Sequence, residues 1–135
     1  MKVYTTEQAK ALAAQVDRAL PPQIRFYRYG DRTTQIIRFL IENEMDVAKT
    51  VTAIKQTALF RLYWHADEIT ISDVKDAFAK MEGFPTGVTE DGRIVWFLNC
   101  SFQTAVKIQD FMLASIYAVD DLQRRLYEEC QRCLL

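Results

Sequence analysis

"IIRFLIENEMDVAKTVTAIKQTALFRLYW", residues 36–64, decides the fold of this chain. It reads as one amphipathic helix running into Glu44-Met45-Asp46 and a second that starts at once. An aspartate side chain accepts from the free N–H groups of a first helical turn, so Asp46 gives the second helix its start. That helix, about residues 47–64, has Val47, Val51, Ile54, Ala58, Leu59 and Leu62 spaced three and four apart, which predicts one buried face. The helix before it, about 32–43, follows a break at Gly30 with Asp31 as its cap. Ile36, Ile37, Phe39 and Leu40 are its apolar side.

Working outward, Thr5-Thr6-Glu7-Gln8 is a capping-box pattern. The helix it opens places Ala9, Leu12, Ala13, Val16 and Leu20 on one face and ends at Pro21-Pro22. On the other side, Ser72, or Thr70 before it, caps a fourth helix through Met81, and Gly83 stops it. The period then changes. "GFPTGVTEDGRIVWFLNC" has Pro and Gly punctuation, an Asp91-Gly92 turn and the run Ile94–Leu98, which reads as a buried strand fed by a turn or hairpin. Ile108, Met112, Ile116, Val119, Leu122, Leu126, Cys130 and Cys133 then mark one long helix. The fold class expected is mainly α (α+β). It has a bundle of about four helices, one or two short strands near 86–99 and a long C-terminal helix. A lone strand would leave backbone N–H and C=O groups without partners.

With 135 residues the chain is long enough for one domain with its own core. The expected organisation is a single domain, with a helical region over 1–82 and a strand-plus-helix region over 83–135. Seventeen basic against eighteen acidic residues leave a charge near zero, so nothing global points to nucleic acid. No run approaches the roughly 20 apolar residues of a membrane span, and no signal-peptide core opens the chain. Three cysteines are too few for a disulfide framework and fit an intracellular reducing compartment.

Few residues suggest chemistry. Cys130-Gln131-Arg132-Cys133 puts two sulfurs on one helix face, but structural zinc takes four ligands, and only Cys100 and His65 remain. Both cysteines continue the apolar stripe, so they read as packing residues, and no metal or cofactor is expected. His65 lies at a helix end, where a cationic side chain is favoured. The carboxylate pairs Glu42/Glu44 and Asp120/Asp121 fall on expected solvent faces. No nucleophile elbow, phosphate loop, zinc-protease or dinucleotide motif appears, so no enzyme is expected. Arg25-Phe26-Tyr27-Arg28-Tyr29 is a basic, aromatic connector. One reading has Arg25, Arg28 and Arg32 contact anionic lipid phosphates. The preferred reading docks the aromatics on the helices and leaves the arginines in solvent.

Residues 31–98 resemble the start of the CRAL-TRIO lipid-binding family. Its helical region carries the form L-L-R-F-L-R-A-R-x-F-D-V-x-x-A, then a helix ending near W-R. Here those places hold Ile36-Ile37-Arg38-Phe39-Leu40, then Met45-Asp46-Val47, then Phe60-Arg61. The family's Gly/Pro-rich segment and D-x-x-G-R-P-V strand entry are matched by Gly83-Phe84-Pro85-Thr86-Gly87 and Asp91-Gly92-Arg93-Ile94-Val95. Ile41-Glu42-Asn43-Glu44 stands where the family is basic, and Ile94 replaces the proline. The resemblance implies a lipid carrier, yet the family's further strands and gate helix have no counterpart here. The expected function is therefore a non-catalytic interaction subunit on a truncated CRAL-TRIO-like scaffold, held in a hetero-complex with other proteins. Lipid binding or transfer is the alternative. Ile94, Trp96 and Leu98 on the strand and Met112, Ile116 and Leu126 on the last helix are the expected partner-binding residues, through strand addition and helix packing.

Overall fold

The structure, a computed structural model, describes residues 3–81, 83–91, 93–98 and 106–133. The chain is mainly α-helical. Its elements are α1 (Thr6–Ala19), α2 (Arg32–Glu42), α3 (Val47–Tyr63), a 3-10 turn (Ala66–Glu68), α4 (Ile71–Met81), β1 (Gly83–Val88), β2 (Ile94–Leu98) and α5 (Ile108–Cys133). They fall into two compact units, one of Met1–Asp67 with Asp120–Leu135 and one of Glu68–Val119. The division expected at 82/83 lies inside the second unit.

Local chemistry sets the helix starts of the first unit. Thr5 accepts from the Gln8 N–H at 3.2 Å while Gln8 accepts from the Thr5 N–H at 2.9 Å, so the capping box opens α1. Asp31 accepts from Thr34 N–H at 3.0 Å to open α2, and Asp46 from Lys49 N–H at 2.9 Å to open α3. Helices α1, α2 and α3 pack on one another around Ala13, Val16, Leu20, Phe26, Ile36, Leu40 and Ile54. Full burial of Ile36, Leu40 and Ile54 contributes about 2 kcal/mol each. The connector joins this core. Phe26 is buried, edge-on to Tyr27 at 4.9 Å and to Phe39 at 5.8 Å.

The joint between α2 and α3 costs backbone strain. Glu44 and Met45 sit at φ 56° and 62°, the left-handed region that side chains disfavour. Hydrogen bonds hold them there: Met45 N–H donates to Leu40 O at 2.7 Å and Asp46 N–H to Asn43 O at 3.0 Å. The Met45 side chain packs against the core, whereas Glu44 is exposed. Gly30 is constrained twice, by φ 109° and by Gln35, whose Nε2 lies 2.6 Å from where a Cβ would stand. Buried Gln35 needs that space because its Nε2 donates to Tyr29 O at 3.1 Å.

In the second unit Thr70, not Ser72, closes the start of α4. Its N–H and hydroxyl donate to Asp73 at 2.8 and 2.9 Å. Ile69, Val74, Ala77, Met81, Ala114 and Ile116 are its buried residues, with Phe78 edge-on to Tyr117 at 6.2 Å. The strand Ile94–Leu98 has a partner. β1 pairs with it antiparallel, and the register shifts between Pro85 and Gly87. The Gly/Pro segment expected to be punctuation is thus a strand, with the proline at an edge and beside a bulge, where its missing N–H is tolerated. Thr89 closes the connection: its N–H donates to Arg93 O at 2.8 Å, and its hydroxyl accepts from Arg93 N–H at 2.9 Å and donates to Asp91. Gly92, Cys100 and the side chains of Leu98, Cys130 and Cys133 lie outside the described residues.

Two expected faces are corrected. Leu59 and Leu62 of α3 are exposed, because the inward stripe runs Thr50, Ile54, Arg61 instead. On α5, Ile108, Val119 and Leu126 are exposed, while Ala114, Ile116 and Asp120 are buried. Asp120 was expected in solvent; a guanidinium described below takes it inward.

Three outcomes test this description. Gly30→Ala should cost about 1–3 kcal/mol in urea unfolding, since it is both strained and obstructed. Glu44→Gly should instead stabilise by up to about 1 kcal/mol, and Met45→Gly should destabilise through lost packing. The backbone bond from Thr70, then its hydroxyl, hold the Asp73 carboxyl below its ordinary 3.8. A lowered native value means the contribution is full above pH 3.8 and is lost as pH falls through the native value. Asp73→Asn should remove that part of the acid dependence, with NMR titration of the wild-type carboxyl giving the midpoint.

Candidate functional site

Counting about 100° per residue around α3 separates two faces. Thr50, Ile54 and Arg61 point to the core; Leu59, Leu62 and Tyr63 point the opposite way. Thr50 is buried without penalty because its hydroxyl donates to Asp46 O at 2.7 Å. At the end of the helix Trp64 N–H donates to Phe60 O at 3.1 Å. His65 then takes φ 50°, the left-handed position that glycine usually fills after a helix.

Arg61 is the centre of an ion cluster within the first unit. Its Nη1 and Nη2 donate to the two Asp120 oxygens at 3.0 and 2.8 Å, a bidentate pair between α3 and α5. Nη2 also donates to Asp67 Oδ1 at 2.7 Å. The other Asp67 oxygen lies 3.4 Å from Arg25 Nε. The Arg61 side chain is 12% exposed and that of Asp120 4%. Arg61 Nε is buried with no hydrogen-bond partner among the described residues. Burial pulls the guanidinium pKa down, but the hydrogen bonds to Asp120 and Asp67 and their charges more than offset it, and the net shift is upward. The group therefore keeps its proton throughout the physiological range. It acts as a fixed clamp and is no proton donor.

Further along α5, Asp121 lies 2.9 Å from both Arg124 and Arg125, and Arg124 is 2.9 Å from Glu128. The hydrogen bonds that Arg124 donates to Asp121 and then to Glu128 raise its pKa above the usual value. Among the described residues, no three of His, Cys, Asp or Glu gather to hold a metal ion. None of the described helices is long and apolar enough to cross a membrane.

The expected site residues separate. Arg32 Nε is 2.8 Å from Asp17, and its guanidinium lies 5.4 Å from the Phe26 ring centroid, so it ties α2 to α1. Arg25 is exposed beside Asp67, and Arg28 lies over the Tyr29 ring at 5.5 Å. On the hairpin, Val95, Trp96 and Phe97 are 44%, 41% and 49% exposed, and Ile94 is half-buried. On α5, Met112 is half-buried, Ile116 is buried and Leu126 is exposed, so the three do not form one open stripe. Arg61, Asp67 and Asp120 were missed as a group, because 59 residues separate the clamped pair and no local spacing announces it.

No family model, curated protein or solved structure matches this chain.

Removing one partner of a buried ion pair strands the other. Asp120→Ala should therefore cost about 3 kcal/mol, with Asp67 limiting the loss. The double variant Arg61→Met/Asp120→Leu should recover most of that stability, and a double-mutant cycle by urea unfolding measures the coupling.

Proposed function

We propose that the protein is a non-catalytic interaction subunit, built on a scaffold resembling the start of the CRAL-TRIO family and held in a larger assembly by its β-hairpin. The exposure of Val95, Trp96 and Phe97 carries this reading. Successive strand residues point to opposite faces, so Val95 and Phe97 expose apolar surface on one side and Trp96 on the other. A two-stranded hairpin is marginal by itself in water and gains stability when an apolar surface packs on it. Exposed apolar side chains on both faces of such a hairpin give a partner surface something to cover.

Arg61, Asp120, Asp67 and Arg25 engage one another, and Arg32 engages Asp17. Held by Asp17 and only 28% exposed, Arg32 offers less to a lipid phosphate than its place in the chain suggests.

The untagged protein, purified from its own cells, should elute with a stoichiometric protein partner. Residues 94–98 should be protected from hydrogen exchange only in that complex. Trp96→Lys should weaken the complex at least tenfold while leaving the urea unfolding of the first unit unchanged. A stable lone monomer that extracts phospholipid from vesicles would overturn the reading in favour of lipid transfer.

A further inference from the structure

Helix α3 contains no acidic residue, and its one inward cation is Arg61. Its outward face bears Lys49 and Lys55, both exposed, among the neutral residues Ala48, Thr52 and Gln56. In the last two turns that face becomes apolar. Leu59, Leu62 and Tyr63 are 67%, 72% and 76% exposed, and Phe60 flanks them. Phe60 and Tyr63 both make ring contacts with Trp64, so the aromatic end of the helix is an ordered cluster. At the two ends Asp46 caps the helix and Asp67 binds Arg61, with the exposed Glu44 and Glu68 beyond them.

We propose that this face of α3 docks on the head-group boundary of an anionic lipid bilayer. Charge and shape favour that occupant. Lys49 and Lys55 make the face cationic, and α3 itself carries no acid, which complements anionic head groups. Leucines and a tyrosine beside lysines match a helix lying in the interface: apolar tips enter the acyl boundary, and the lysines reach back to phosphates. Tyrosine and tryptophan settle at that level because each has an apolar body and a polar tip. Two turns are too short for a coiled-coil seam, whose apolar pattern repeats over several heptads. The surface lies in the first unit and shares no residue with the hairpin of the second, so it goes beyond the interaction reading and stands or falls separately.

Vesicle co-sedimentation of the full chain tests the proposal, with phosphatidylcholine alone and with added phosphatidylserine. The wild type should bind only the vesicles containing phosphatidylserine, and less as salt rises. Leu59→Glu/Leu62→Glu should lower the bound fraction constant at least tenfold. These side chains face away from the core, so the urea midpoint should match the wild type. Lys49→Glu/Lys55→Glu keeps every apolar residue and provides a second arm; it should lower binding about tenfold at low salt, with the deficit shrinking at high salt. Arg25→Ala/Arg28→Ala should lower it less than threefold. The proposal is overturned if the wild type binds neither vesicle, or if either α3 variant binds like the wild type. It is equally overturned if the arginine variant loses as much as the lysine variant. A change of oligomeric state in the α3 variants, without a change in vesicle binding, would reassign the face to a protein contact.

Discussion

The bidentate grip of Arg61 on Asp120 is the constraint that fixes which sides of α3 and α5 turn inward in the first unit. A guanidinium and a carboxylate are removed from water together, and the cost is offset only by the close geometry and by the added bond to Asp67. That arrangement has consequences on both helices. On α3 it turns position 61 inward, and helical geometry then turns Leu59, Leu62 and Tyr63 outward. On α5 it turns Asp120 inward and leaves Val119 exposed beside it. The placement of the apolar outer face of α3 is thus set by a polar interaction.

Connections in the first unit trade backbone strain for tight turns. Glu44, Met45 and His65 adopt left-handed φ without being glycine, each at a cost of order 1–2 kcal/mol. The strain is repaid locally by hydrogen bonds onto the preceding helix, such as Met45 N–H to Leu40 O and His65 N–H to Leu62 O at 3.2 Å. The short joint between α2 and α3 is what allows both helices to lie against α1 in one core. The aromatic connector closes it, with Phe26 beneath Arg32 and the Arg32 guanidinium bound to Asp17.

Much of this was legible in the chain because it is local. Thr5, Asp31 and Asp46 announce helix starts through side-chain chemistry that reaches only three residues. Strand β1 was obscured, since Pro85 and two glycines weaken a strand signal that pairing with Ile94–Leu98 restores. The inward face of α3 was misread for a related reason. Its last turns carry apolar residues on the side opposite Ile54, and a hydrophobic pattern prefers Leu59 and Leu62 over Arg61. Asp120 looked like a solvent carboxylate because its partner comes from a distant part of the sequence. The run Ile94–Leu98 reads as a buried strand, yet Val95, Trp96 and Phe97 are all exposed, because a two-stranded hairpin covers neither of its faces.

The two surfaces proposed to bind partners lie on different kinds of element, a hairpin in the second unit and a helix end in the first. The Arg61–Asp120 pair closes α5 onto α3 within the first unit. Native-state hydrogen exchange along α5 measures the closure directly. If the Arg61–Asp120 pair closes the unit, amides from Asp120 to Glu129 open with the same free energy as those of Ile54–Arg61. Exchange of the α5 amides at the rate of a frayed helix end, while α3 stays protected, would contradict it.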